Sequence, residues 1–254
     1  MYVFKQTGFH FVRFLKSISF FFGFIGHLCH SSKNIITRHL TISWPNVLKV
    51  LYYSGVSLAV PLIIISALMA MSIAINSYQI FSKFHLQNQA LSVAQTLLVQ
   101  DFLPILIGFV LCVQVSLNII NARIKITKFQ RSPQQVILEY ILPIIIGVNS
   151  TGLLLHTYLM AVIYLILFIT FHHLLNISTQ IFLLDIGRTT TLFFYITSVA
   201  KTLVYCSIVS FTAGYYYYQV ATRHVPLRRA VSRILTRGAL WLTVSSVLIK
   251  FLNL

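Results

Sequence analysis

The stretch from Gln100 to Pro133, QDFLPILIGFVLCVQVSLNIINARIKITKFQRSP, constrains this chain more than any other. Phe102 to Ile120 carries no charge over about 19 residues, which at ~1.5 Å per residue nearly matches the ~30 Å hydrocarbon core of a bilayer. Arg123, Lys125, Lys128 and Arg131 follow at once, with no acid between Asn121 and Pro133. A backbone crossing lipid must satisfy its own hydrogen bonds, so the apolar part is expected to be helical. Short loops rich in Lys and Arg stay on the cytoplasmic side, so the basic part is expected to face inward and to orient every other span.

The rest of the chain agrees with a bilayer setting. Of its 254 residues 57% are hydrophobic and 9% charged, against about 25% charged in soluble domains. The expected class is an all-α polytopic membrane protein. A net charge of +16, from 19 Lys and Arg against 3 acids, is accounted for by positive-inside loops and anionic headgroups. No basic run is long enough to suggest nucleic acid as a partner.

Residues 1–45 are expected to form an interfacial amphipathic helix and a connector, and 46–254 one transmembrane domain. On a helix, Lys5, Gln6, His10, Arg13, Lys16 and Ser17 share an arc of roughly 140°, opposite Phe4, Phe11, Leu15, Ile18 and Phe22. The charges interrupt the apolar run and no small-x-small site follows, which argues against a signal peptide. Trp44-Pro45 starts a first span over Val47 to Ile75, and Tyr78 to Gln89 is expected to be an outer loop. The second span begins at Leu91 and returns to the basic loop.

Val136 to Leu175 is longer than one ordinary span and nearly long enough for two. Two crossings would place Arg223, Arg228, Arg229, Arg233 and Arg237 outside, so one crossing is expected. Its helix should kink near Pro143 or around Gly147 to Gly152, with partly re-entrant or interfacial portions. Asn176 to Arg188 then reads as an outer loop, Thr189 to Val220 as the fourth span and Gly238 to Leu254 as the fifth. The N-terminus would be cytoplasmic and the C-terminus periplasmic. The Tyr215 to Tyr218 run falls where the fourth span leaves the bilayer, as an aromatic belt would.

Few groups could carry chemistry. Cys29, Cys112 and Cys206 are spaced for neither disulfide nor zinc and read as packing residues, and no metal or other cofactor is expected. Three acids are too few for a carboxylate metal site, and no G-x-x-x-x-G-K-[ST] occurs, so the chain is not expected to hydrolyse ATP itself. Lys201 falls near mid-membrane, where an ionisable group is costly unless paired or wet. Asp101 lies at the most similar depth, so a Lys201–Asp101 pair facing a cavity is expected, with a purely structural pair as the alternative.

Several short motifs, taken in order, resemble the MlaE-type permeases of lipid-transporting ABC systems. Gln100-Asp101-Phe102-Leu103-Pro104 is similar to that family's Arg-Glu-Leu-Gly-Pro, and Ser132-Pro133 to its Asp-Pro. Lys201-Thr202 resembles its Lys-Ser, Arg229-Ala230-Val231-Ser232-Arg233 its Arg-Ala-Thr-Thr-Arg, and Tyr78 its outer tyrosine. The resemblance covers about Asn46 to Leu254. It implies a permease of the bacterial inner membrane, dimerising with a copy or homologue around a phospholipid-sized cavity. Its partners would be a cytoplasmic ABC ATPase and a periplasmic MCE protein, hexameric in the family. Asp101, Lys201, Gln100 and Tyr78 would line the cavity, and Arg123, Lys125, Lys128 and Arg131 would face the ATPase. The chain departs from the pattern at Gln100, where the family has Arg, and at Ser246, where it has Asp. The segment before the third span is also about nine residues shorter and lacks the family's acids, which suggests a divergent half of a heterodimer. A non-transporting anchor and an independent secondary transporter remain alternatives.

Overall fold

The computed structural model describes residues 19, 21–31, 33–34, 37, 43–129, 136–222 and 225–252. Arg131, Arg223 and the polar arc from Lys5 to Ser17 lie outside them, and of the side chains between 120 and 129 only the backbone is described. Among the described residues there are helices and no strands.

A short helix, α1, covers residues 21–31. Five helices long and apolar enough to cross a membrane follow, with one shorter helix between. These are α2 (Trp44–Lys83), α3 (residues 87–129), α4 (Ile137–Leu174), α5 (Thr179–Thr189), α6 (Leu192–Ala221) and α7 (Leu227–Phe251). The fourth crossing, α6, is the packing centre: it lies against α3, α4 and α7, while α2 packs on α4. Its sequence explains why. Ser198, Thr202, Tyr205, Val209, Ala213, Tyr216 and Val220 recur every three to four residues and are all buried, so one continuous face enters the bundle. The buried stripe of α2 is narrow and small: Leu62, Ser66, Ala70, Ala74 and Ser77. Its other faces carry exposed Val60, Ile64, Leu68 and Met71, a surface suited to acyl chains rather than water.

Close approach depends on missing side chains. A Cβ on Gly152 of α4 would collide with Cys206 Sγ of α6, and one on Gly238 of α7 would lie 2.5 Å from Cys112 Sγ of α3. Both cysteines are buried and unpaired, so each thiol fills the notch a glycine leaves. The packing role expected for them holds at these two positions, whereas Cys29 is exposed.

Among the described residues four helical turns widen to the π form, at Tyr52–Val56, Thr96–Phe102, Ile137–Ile141 and Thr170–Leu174. Two of them precede prolines, Pro104 and Pro143, whose rings crowd the carbonyls of Gln100 and Glu139 and which donate no hydrogen bond. The Glu139 carbonyl is satisfied from elsewhere: Asn46 Nδ2 of α2 donates to it at 2.9 Å. Gln114 Nε2 likewise donates to the Tyr53 carbonyl at 2.9 Å. Side chains thus restore the bonds that irregular turns give up inside lipid.

The third crossing is a single helix, as parity required, and its irregular turns lie before Pro143 and at Thr170–Leu174 while Gly147 to Gly152 is regular. At ~1.5 Å per residue the helix is roughly 57 Å long, longer than the hydrocarbon core. Other boundaries move outward. The expected loop Tyr78 to Gln89 shrinks to a turn at Phe84–Leu86, closed by His85 at φ 57°. Asn176, at φ 55°, ends α4, and most of the expected loop Asn176 to Arg188 is α5. The start of the expected basic loop is the last part of α3, which continues to Phe129. The fifth helix begins at Leu227, not Gly238, so Arg228, Arg229, Arg233 and Arg237 sit on its first turns. Tyr216, Tyr217 and Tyr218 are buried rather than set in a belt, and Tyr215 and Tyr218 receive α1 through Phe21, Phe24 and His27, with ring centroids 5.6 to 6.2 Å apart.

Candidate functional site

The charges do not pair as expected. Asp101, in the widened turn of α3, meets Lys250 of α7 at 3.0 Å, and not Lys201. Asp101 is 27% exposed and Lys250 58%, so the pair sits at the rim of the bundle. The reason is helical direction. Lys250 comes in the last turn of a span that packs along α3, whereas Lys201 lies on the face of α6 turned into the bundle. Tyr205 of α6 stands beside both charges and close to Ser246, one turn before Lys250. Asp101, Tyr205, Ser246 and Lys250 therefore form one polar cluster joining three spans. Where the resemblance implies an Arg and an Asp, Gln100 and Ser246 are neutral, and the charge opposite Asp101 comes from Lys250.

Lys201 is 9% exposed and is followed along α6 by polar residues that bond to α4, with Ser198 before it bonding to α3. Beside it, Thr202 shares a 2.8 Å hydrogen bond with His156 Nδ1 of α4, and Ser198 donates to the Val99 carbonyl at 2.6 Å. Ser207 donates to Asn149 Oδ1 at 3.0 Å. His156 Nε2, Thr151 Oγ1 and Ser54 Oγ are buried without a hydrogen-bond partner. Unpaired polar atoms in a membrane interior are costly, so this region can hold water or a polar group.

Tyr78 packs edge-on against Phe171 of α4, centroids 6.4 Å apart, and so ties α2 to α4 near one end of the bundle. Gln100 is half-buried next to Asp101. A further cluster fixes that end: Gln95 donates to Tyr164 at 2.8 Å and to Thr190 at 2.7 Å, and accepts from Thr189. Sequence reasoning missed Lys250, Tyr205, His156 and this glutamine network. The available signals were the i, i+4 spacing of Ser246 and Lys250, and polar residues inside apolar spans.

At the opposite end lie Lys49, Arg228, Arg229 and Arg233, on the first turns of α2 and α7. Lys83, Arg188 and Lys250 are spread over the other end. No curated protein sequence matches the chain. The sequence model of the family described as Permease MlaE matches residues 47–252, from the start of α2 to the end of α7. With all five crossings inside the matched region, the chain belongs to the MlaE permease family, the membrane permease component of a lipid transport system.

Proposed function

We propose that this chain is the permease subunit of an MCE-associated ABC transporter, moving phospholipid between the bacterial inner membrane and a periplasmic MCE protein. The observation that carries this reading is buried polarity inside the spans of an MlaE-family bundle: Lys201 and the unpaired His156 Nε2, with the Asp101–Lys250 pair at its rim. Ionisable groups persist at such depth where they face a cavity or a pathway. Asp101, Gln100, Lys201 and Tyr78 would line the path in a dimer with a copy or homologue. The chain carries no P-loop, so ATP would be hydrolysed by a separate subunit, met by Arg123, Lys125, Lys128 and Arg131. The end holding Arg228, Arg229 and Arg233 would be cytoplasmic, which puts the N-terminus inside and the C-terminus in the periplasm.

The test is gentle extraction of the tagged chain from its own host, followed by mass spectrometry of co-eluting proteins and lipids. Recovery of an ATPase, an MCE protein and phospholipid is expected, and a second permease sequence would identify a heterodimer. Recovery of the chain alone, under conditions in which known transporter complexes survive, would overturn the reading.

A further inference from the structure

A groove of about 1220 Å³ runs between α1, α6 and α7. It exceeds the ~300–1,000 Å³ of ordinary small-molecule pockets. Its walls include Phe21, Phe24 and Leu28 of α1, Val204 and Phe211 of α6, and Trp241 of α7. Phe21, Val204, Phe211 and Trp241 remain between 46% and 53% exposed, so the walls are open. Neither Asp101, Lys201 nor Lys250 lines it, which separates it from those charges, while Ser207, bonded to Asn149, stands in its wall.

The groove has direction. Along α6 it extends from Leu203 to Tyr216, a rise of roughly 20 Å, somewhat more than the ~15 Å that one leaflet contributes to the hydrocarbon core. Among the described residues, Arg237 is the one charged residue in its lining, and its guanidinium lies 6.0 Å from the centroid of the Tyr216 ring. That end of the groove points toward the basic end of the bundle. A cation near the headgroup level, above an apolar channel one leaflet deep, matches a phosphate joined to acyl chains.

We infer that this groove binds a membrane phospholipid, its phosphate held by Arg237 and an acyl chain lying between α1 and α6. A second copy of this chain is a poorer occupant, because it brings only 3 acids in 254 residues to face Arg237. The inference requires membrane placement and not transport, so its binding readout is separate from lipid transfer to a partner.

The structure supplies its own reporter. Cys29 is exposed and lines the groove, while Cys112 and Cys206 are buried. The full chain in mild detergent would be titrated with dioleoylphosphatidylglycerol while maleimide labelling of Cys29 is followed. Lipid should slow labelling, and dioleoylglycerol, with the same chains and no phosphate, should do so far less. Arg237→Gln should weaken half-saturation roughly tenfold, the scale of one lost charge-assisted contact. Arg237→Lys should retain protection and serves as the folded comparison. Val204→Trp, which fills the channel and leaves the charge, should abolish protection, and Arg228→Gln, outside the lining, should leave it unchanged. Equal weakening by Arg228→Gln, or undiminished protection in Arg237→Gln, would overturn the site. So would a Cys29 thiol already unreactive before lipid is added, which would mean that the groove is filled by the chain's own first residues. Ready Cys29–Cys29 disulfide formation would assign the groove to a second copy instead.

Discussion

Asp101 and Lys250 meet at 3.0 Å across the second and fifth crossings, beside Tyr205 of the fourth. Because Lys250 is more than half exposed, the pair alone contributes little, about 0.2–1 kcal/mol by analogy with exposed pairs. Its larger role is to neutralise a carboxylate in a membrane helix. Lys250→Met should therefore lower the thermal midpoint in nanodiscs by more than Asp101→Asn does, since the first strands the less exposed carboxylate within the bundle and the second strands an ammonium that is more than half exposed. The double variant should recover much of the loss. Additive losses in that cycle would show that the two residues are not coupled.

Gly152 admits Cys206 where no Cβ fits. Gly152→Ala should destabilise the bundle by about 1–3 kcal/mol through overpacking. Adding Cys206→Ala removes the colliding sulfur and should return most of that loss. Detergent-denaturation midpoints of the two variants give the comparison, and no recovery in the pair would mean that the helices separate at this point for another reason.

Gln95 holds three hydroxyls from two other helices and the turn before α6. Gln95→Leu, of similar size, strands Tyr164, Thr189 and Thr190, and each membrane hydrogen bond is worth about 0.6 kcal/mol on average. A loss of about 1–2 kcal/mol is expected, with earlier proteolysis in α5. Unchanged proteolysis would assign the network no role in holding that end.

Lys201→Met keeps most of the side chain's length and removes its charge. In the proposed transporter it should cut lipid transfer to a reconstituted MCE partner roughly tenfold or more while membrane abundance stays the same. Undiminished transfer at normal abundance would remove Lys201 from the path.

The order of spans was legible because each is set by local physics. Twenty or so apolar residues span lipid wherever they occur, and the arginines of α7 fix parity with no knowledge of contacts. Boundaries were less legible. Arg228 to Arg237 read as loop because they are charged, yet a helix can carry charge through the headgroup layer, so α7 starts eleven residues before Gly238. The segment Thr179–Thr189 read as loop because it is too short to cross, which does not prevent a helix from lying across one end.

The sequence by itself determined that this chain is helical, crosses a bilayer five times and gathers much of its positive charge at one end, because burial in lipid acts on each segment separately. Only the tertiary structure decided which charges meet and where cavities lie. Lys201 and Lys250 are both cations in apolar helices, and depth along the chain favoured Lys201 as the partner of Asp101. Helix rotation and packing chose Lys250 instead. The groove below Arg237 follows the same rule: it exists because Phe24 docks on Tyr215 and Tyr218, a contact between residues almost two hundred positions apart that no local pattern encodes.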